Sequence, residues 1–291
     1  MHRFRTSVLE NLMMRWTLSL LALLSVITSG NAADKENALY EMRVYYAAKG
    51  KLDALNARFR DHTLKLFEKH GITNVGYWVP LENPDERLIY VISHKDKAAA
   101  DQSWKEFIAD PVWKKAHAES EKDGKLVDKI ERFWMSATDY SHATKSEKTD
   151  GKGVYELRMY IATPNNLEHL NARFRDHTVK LFEKHGMSNV AYWNLAAADK
   201  ATCGQVIKSM SPAGTPAVDV DEKSPATPLA LIYFLHHDST DAAKKSFDSF
   251  RMDADWVKAR DASEKKAGGS LTAKDGVKSL MMKATDYSPL K

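Results

Sequence analysis

The chain has a single cysteine, Cys203, in 291 residues. It can form no internal disulfide, so each of its domains must be held by its own core. Long apolar runs are also missing, apart from one at the N-terminus, and no later segment could cross a bilayer as a helix. Neither sign of charge is in excess: 43 Lys and Arg against 39 Asp and Glu leave a formal +4. Such a balance lacks the basic footprint of a nucleic-acid binder, and the lysines do not gather into a basic arm. There is no GxSxG, no phosphate-binding glycine loop, no dinucleotide fingerprint and no CxxC or HxxxH spacing. The common nucleophile, nucleotide and metal chemistries therefore have no motif to rest on.

The N-terminal exception reads "MMRWTLSLLALLSVITSGNA", with a basic start at Arg15, an apolar core from Trp16 to Ile27 and small residues at Gly30 and Ala32. That order predicts a secretory signal peptide over residues 1–32, cleaved after Ala32. Its apolar run of about a dozen residues falls short of the ~20 a membrane helix needs. Cleavage would remove Arg3, Arg5, Arg15 and Glu10, lowering the formal charge from +4 to +2. The expectation is an exported protein, periplasmic or extracellular, with no stable membrane span after cleavage.

What the chain does have is a repeat. "NARFRDHTLKLFEKHG" (Asn56–Gly71) returns as "NARFRDHTVKLFEKHG" (Asn171–Gly186), differing only at Leu64 and Val179. "YEMRVYY" returns as "YELRMYI", "NVGYW" as "NVAYW" and "LIYVISH" as "LIYFLHH", and each copy closes with "ATDYS". Domain boundaries follow at 38–142 and 153–290, joined by a polar, glycine-containing linker at 143–152. The second copy carries an insertion at about 196–228, rich in proline, glycine, serine and alanine, expected as a long surface excursion between two strands.

Each copy predicts the same elements. Tyr40–Tyr46 alternates as a strand, Leu52 to His70 has helical apolar spacing closed by Gly71, and Asn74–Val79 and Arg87–His94 read as strands. A second helix runs from Ala98 to about Lys122, interrupted at Pro111, before a last strand at Ile130–Thr138. The order βαββαβ is ferredoxin-like, which leaves one sheet face without helices. Such a face would be a large exposed apolar patch unless covered. The fold expected is therefore α+β: two tandem ferredoxin-like units packed sheet to sheet as an intrachain pseudo-dimeric α/β barrel.

If the apolar set Tyr40, Met42, Val44 and Tyr46 faces the helices, then Glu41, Arg43 and Tyr45 face the other sheet, answered by Glu156, Arg158 and Tyr160. Trp78, Tyr90, Arg132, Trp134, Trp193 and Tyr233 complete a candidate inter-sheet cavity, with His62 and His177 at its border. Two readings stand side by side: a buried Glu–Arg network joining the sheets, or a cavity whose arginines hold an anionic group and whose rings hold an apolar body. Arg132 and Trp134 become Ser279 and Met281 in the second copy, so the halves are unequal. His70 and His185 sit where a histidine meets the negative end of a helix, and His236 and His237 point to opposite faces of a strand.

These motifs, "YELR-Y", a helix with "FRDHT" ending "FEKHG", then "YW" and "LIY", resemble the NIPSNAP family over nearly all of the mature chain. The resemblance implies a dimeric α/β barrel. Its better-studied members are mitochondrial proteins tied to vesicular traffic or mitophagy signalling through partner proteins, without an accepted enzymatic activity, and the leader here departs from them. The expectation is a non-catalytic module that binds a small amphipathic or anionic aromatic molecule, or a protein partner, with no cofactor. The alternative is a barrel-superfamily enzyme, a cofactor-independent or haem-dependent monooxygenase or isomerase using the inter-sheet cavity.

Overall fold

A computed structural model describes residues 38–141, 152–195 and 230–290. The leader 1–32, the linker up to residue 151, the insertion 196–228 and Cys203 lie outside the described residues. The first copy runs β1 (Leu39–Ala47), a helix in three contiguous parts, β2 (Thr73–Pro80), β3 (Arg87–His94), two short helices and β4 (Val127–Ala137). The three parts are α1 (Leu52–Arg58), a π-helical turn (Phe59–Thr63) and α2 (Leu64–Lys69). The two short helices are α3 (Lys97–Ala109) and α4 (Pro111–Ser120). The second copy repeats this as β5 (Val154–Ala162), α5 (Leu167–Arg173), a π-turn (Phe174–Thr178), α6 (Val179–Lys184), β6 (Ser188–Leu195), β7 (Ala230–His237), α7 (Thr240–Met252), α8 (Ala254–Ala267) and β8 (Thr272–Ala284).

Local chemistry explains the boundaries. Gly71 and Gly186 both adopt φ +74° after their helices, a left-handed position that suits glycine. Asp110 ends α3 and caps α4: its Oδ1 accepts from the amide of Val112 at 2.7 Å, with Pro111 at the first helical position. One departure from simple helical spacing is the "FRDHT" π-turn in each copy. There the Thr63 hydroxyl donates to the Arg58 carbonyl at 3.1 Å, and Thr178 to Arg173 at the same distance. Such bulges shift the register of a helix by one residue.

The eight strands close into one antiparallel barrel in the order β1-β3-β2-β8-β5-β7-β6-β4. Within each copy this is the ferredoxin-like order, and β2–β8 and β4–β6 pairs join the copies edge to edge. The helix-free faces meet inside, as expected for a pseudo-dimeric α/β barrel. The interior is mostly apolar: Met42, Val44, Phe133, Leu157, Met159 and Ile232 are buried there, and Trp78 packs against Phe234 at 4.7 Å. Arg87 and Glu131 are the buried charges on this face of β3 and β4.

The repeated polar residues have a structural job. Each "ATDYS" end crosses to the opposite copy. Arg60 forks onto Asp286 at 2.7 Å through two hydrogen bonds, and Arg175 onto Asp139 at 2.7 and 2.9 Å. The Tyr287 hydroxyl donates to Asn56 at 2.6 Å, and Tyr140 to Asn171 at 2.8 Å. Ser288 and Ser141 accept the amides of Tyr77 and Tyr192 at 2.9 Å. Lys69 and His70 both reach Asp110 at 2.7 Å, and Lys184 and His185 meet Asp253 likewise at 2.8 and 2.7 Å. His70 and His185 therefore serve the next helix's capping aspartate.

The exposed Arg60–Asp286 fork should contribute little, within about 1 kcal/mol. Ending the chain at Ala284 removes buried Ser288 and Leu290 and leaves the Tyr77 amide without its acceptor. Urea melts should show a loss of roughly 3–5 kcal/mol for that truncation. A cost no greater than that of Arg60→Ala would show that the C-terminal segment does not latch the two halves.

Candidate functional site

The structure inverts the expected facing of β1. Tyr40, Met42 and Val44 point into the barrel, while Glu41, Arg43 and Tyr45 lie under the first copy's own helices. Glu156, Arg158 and Tyr160 do the same in the second copy. The Glu–Arg pairs are internal to each copy and do not join the sheets. The reason is dielectric. Around Tyr40, Met42 and Val44 the lumen neighbours are mostly apolar. The charges on that face, Arg87 and Glu131, are buried, with Tyr46 donating to Glu131 at 3.0 Å. An unpartnered ion there would lose several kcal/mol of hydration. The helix side offers histidines, phenols and an indole N–H.

Those partners are specific. Glu41 is fully buried and accepts from Arg43 Nε at 2.6 Å, Trp104 Nε1 at 2.9 Å and His94 Nε2 at 3.0 Å. An ionised carboxylate only accepts, so the His94 proton sits on Nε2. The Arg43 guanidinium lies 3.6 Å from the Trp104 ring centroid and donates to the Tyr45 hydroxyl at 3.3 Å. Burial pushes the Glu41 carboxyl up, but His94, Arg43 and Trp104 outweigh it and hold the group below the usual carboxylate range. In the second copy Glu156 accepts from Arg158 and from His237 Nε2 at 3.1 Å, and burial is again outweighed. Phe247 stands where Trp104 stands and has no N–H to give. Glu156 thus has one donor fewer, and the copies are chemically unequal here.

Beside this network, a cleft of about 530 Å³ opens in the first copy between the π-turn, α4 and the start of β4. Phe59, Phe67, Phe107, Trp113, Val127 and Ile130 form its apolar walls, and Tyr45, Arg58, Thr63, His117 and Glu121 bring polar atoms to it. Arg58 is only 5% exposed. Its Nη1 donates to Glu121 at 3.0 Å and Ser120 at 3.3 Å, while its Nε is buried without a hydrogen-bond partner. Such an unspent donor on a buried cation is costly unless something else accepts from it. Among the described residues, no three His, Cys, Asp or Glu side chains gather as a metal site.

Of the residues expected from sequence, Tyr45 lines the cleft, and Glu41, Arg43 and Tyr90 lie in the same helix-side layer. Arg132 is exposed and Trp134 half-buried on the β4 register that matches Arg43 and Glu41, outside the barrel. Trp78 and Trp193 do face the lumen, packed in apolar contact. Tyr233 sits under the second copy's helices. His62 and His177 are exposed on the outside of the π-turns and do not line the cleft. Sequence reasoning missed Arg58, Trp113, His117 and Glu121. The last three recur at four-residue steps, the spacing that puts one face of α4 against α1.

The depressed folded value of Glu41 gives a pH signature. Its stabilisation is present above the unfolded carboxylate value of about 4.3 and is lost as pH falls through the lower folded value. Glu41→Gln should lose roughly 3–5 kcal/mol near neutrality, because Arg43 stays buried without its anion. It should also show a flatter acid limb than the parent in chemical melts from about pH 5 downward. An acid limb as steep as the parent's would remove Glu41 from the acid response.

Residues 40–142 match the NIPSNAP family model. No curated protein matches the chain. Among solved structures, an uncharacterized NIPSNAP-like domain protein from Burkholderia xenovorans shares 12% identity, covering 37% of this chain and 90% of its own, with a TM-score of 0.34. A NIPSNAP family protein of unknown function from Agrobacterium tumefaciens strain C58 shares 20%, covering 34% and 87%, with a TM-score of 0.31. An anthrone oxidase-like protein spans 87% of this chain and 93% of its own at 12% identity, with a TM-score of 0.44. The first half of the barrel, residues 40–142, thus matches the NIPSNAP model, and the second half repeats its order of strands and helices.

Proposed function

We propose that this protein binds a small amphipathic molecule in the helix–sheet cleft of its first half. The observation that carries the reading is the buried Arg58 Nε, unpartnered at a cleft whose walls are otherwise aromatic and aliphatic. A volume of about 530 Å³ lies within the ~300–1,000 Å³ of small-molecule sites. The walls suit a flat apolar body. Arg58 and the Tyr45 hydroxyl suit a carboxylate or carbonyl oxygen at one end. Tyr45 accepts from Arg43 and lies against the buried Tyr90 hydroxyl.

The binding so described uses no metal or haem and breaks no bond. Arg173, the counterpart of Arg58, is also buried with Nε unpartnered. The binding is nevertheless assigned to the first half, because the second changes His117 to Arg260 and has a wider bulge at the start of its last strand. There Ala162 pairs with Thr272 and Tyr160 with Val277, where the first half pairs Ala47 with Val127 and Tyr46 with Lys129. We infer an exported setting from the leader-like residues 1–32; N-terminal sequencing of the secreted protein should then begin at Ala33.

Titration of the mature protein with a panel of aromatic carboxylic acids, read by calorimetry and by Trp fluorescence, should find a ligand. Tyr45→Phe should weaken that ligand about tenfold, and Val127→Trp, which fills the cleft, should abolish binding. Tyr160→Phe in the second half should leave affinity unchanged. Equal affinity in the parent and Val127→Trp would place the ligand elsewhere and overturn the reading.

A further inference from the structure

Contacts within and between the copies account for most of the repeated polar residues, and three in each copy are left over. Exposed Asp61, His62 and Lys65 make no hydrogen bond or ion pair, and neither do Asp176, His177 and Lys180. The same chain carries a control. Exposed positions of the second helix layer have not been kept: Asp101 is answered by Lys244, Lys105 by Asp248, Ile108 by Arg251 and Val112 by Asp255. Both layers belong to the same two copies, so drift has had equal time on each. Surface exchanges of this sort are close to neutral for stability, so folding does not hold Asp61, His62 and Lys65 in place.

We propose that this exposed face is a contact surface for a second copy of the same protein. The argument is charge complementarity. Asp61 and Lys65 lie about one turn apart and do not pair with each other, and Asp176 and Lys180 repeat the arrangement. Two such helix faces laid antiparallel set each acid against a base, whichever two faces meet. Identical patches are self-complementary in this way only if each carries both signs. The first helix packs over β2 and β3 and its counterpart over the equivalent β6 and β7, across the ring of strands. The two patches therefore point away from each other. Contacts made through them propagate from barrel to barrel and do not close into a dimer. Exposed ion pairs are individually weak and screened by salt, so the association is reversible and concentration-dependent.

Sedimentation velocity on the mature chain tests this. At low ionic strength the weight-average mass should climb with concentration past about twice that of one chain. It should return to the single-chain value near 1 M salt, where the Debye length is ~3 Å. Asp61→Lys with Asp176→Lys sets like charges against each other and should remove the climb. Adding Lys65→Asp and Lys180→Asp restores complementarity with the signs exchanged and should bring the climb back. Circular dichroism melts should match the parent for both variants. A parent that stays a single chain at every concentration, a climb that survives the first variant, or one that does not return in the second overturns the proposal.

Discussion

Closure of the barrel is the constraint on which the rest depends. A four-stranded sheet with helices on one side exposes an apolar face that water will not tolerate. Two such faces in one chain cover each other, and the edge pairs β2–β8 and β4–β6 remove the open strand edges as well. The lumen is then filled by Met, Val, Leu, Ile, Phe and Trp side chains from both halves. Arg87 and Glu131 are the buried charged residues that β3 and β4 add to this face, beside Tyr46.

The charged set of β1 and β5 lies on the other face, where its hydrogen-bond partners are. There each glutamate is held by an arginine and a histidine, and in the first half by the Trp104 indole too. The aromatic layer under the helices does double service. Tyr77 and Tyr90 stack at 5.2 Å, and Tyr192 and Tyr233 at 5.1 Å, while Phe59 and Phe174 meet them edge-on. At the margin of the first half's layer the packing parts to leave the cleft beside Arg58.

Repetition of the polar positions follows from pseudo-symmetry. "FRDHT" on one half and "ATDYS" on the other are two ends of the same contact, made twice in opposite directions. A change in Arg60 or Asn56 would disturb a partner far along the chain. Each half therefore constrains the other, and Asp61, His62 and Lys65 stand out because no hydrogen bond or ion pair within the chain holds their side chains.

Strand and helix order, the break at Asp110–Pro111, the capping role of Gly71 and the need for two halves to cover each other were all legible in the amino acids, because they follow from periodicity, turn chemistry and apolar area. Which way β1 faces was not. Alternation divides Tyr40, Met42 and Val44 from Glu41, Arg43 and Tyr45 but cannot say which set looks inward, since both faces of the strand are buried. The π-turn, the cleft around Arg58 and the donors around Glu41 were equally out of reach. They depend on residues such as His94, Trp104 and Glu121 that meet only when the sheet and helices pack. Sequence by itself determined the architecture and its duplication; tertiary structure decided where Glu41, Arg43, Glu156 and Arg158 went, because the histidines, phenols and indole that hold them meet only when sheet and helices pack.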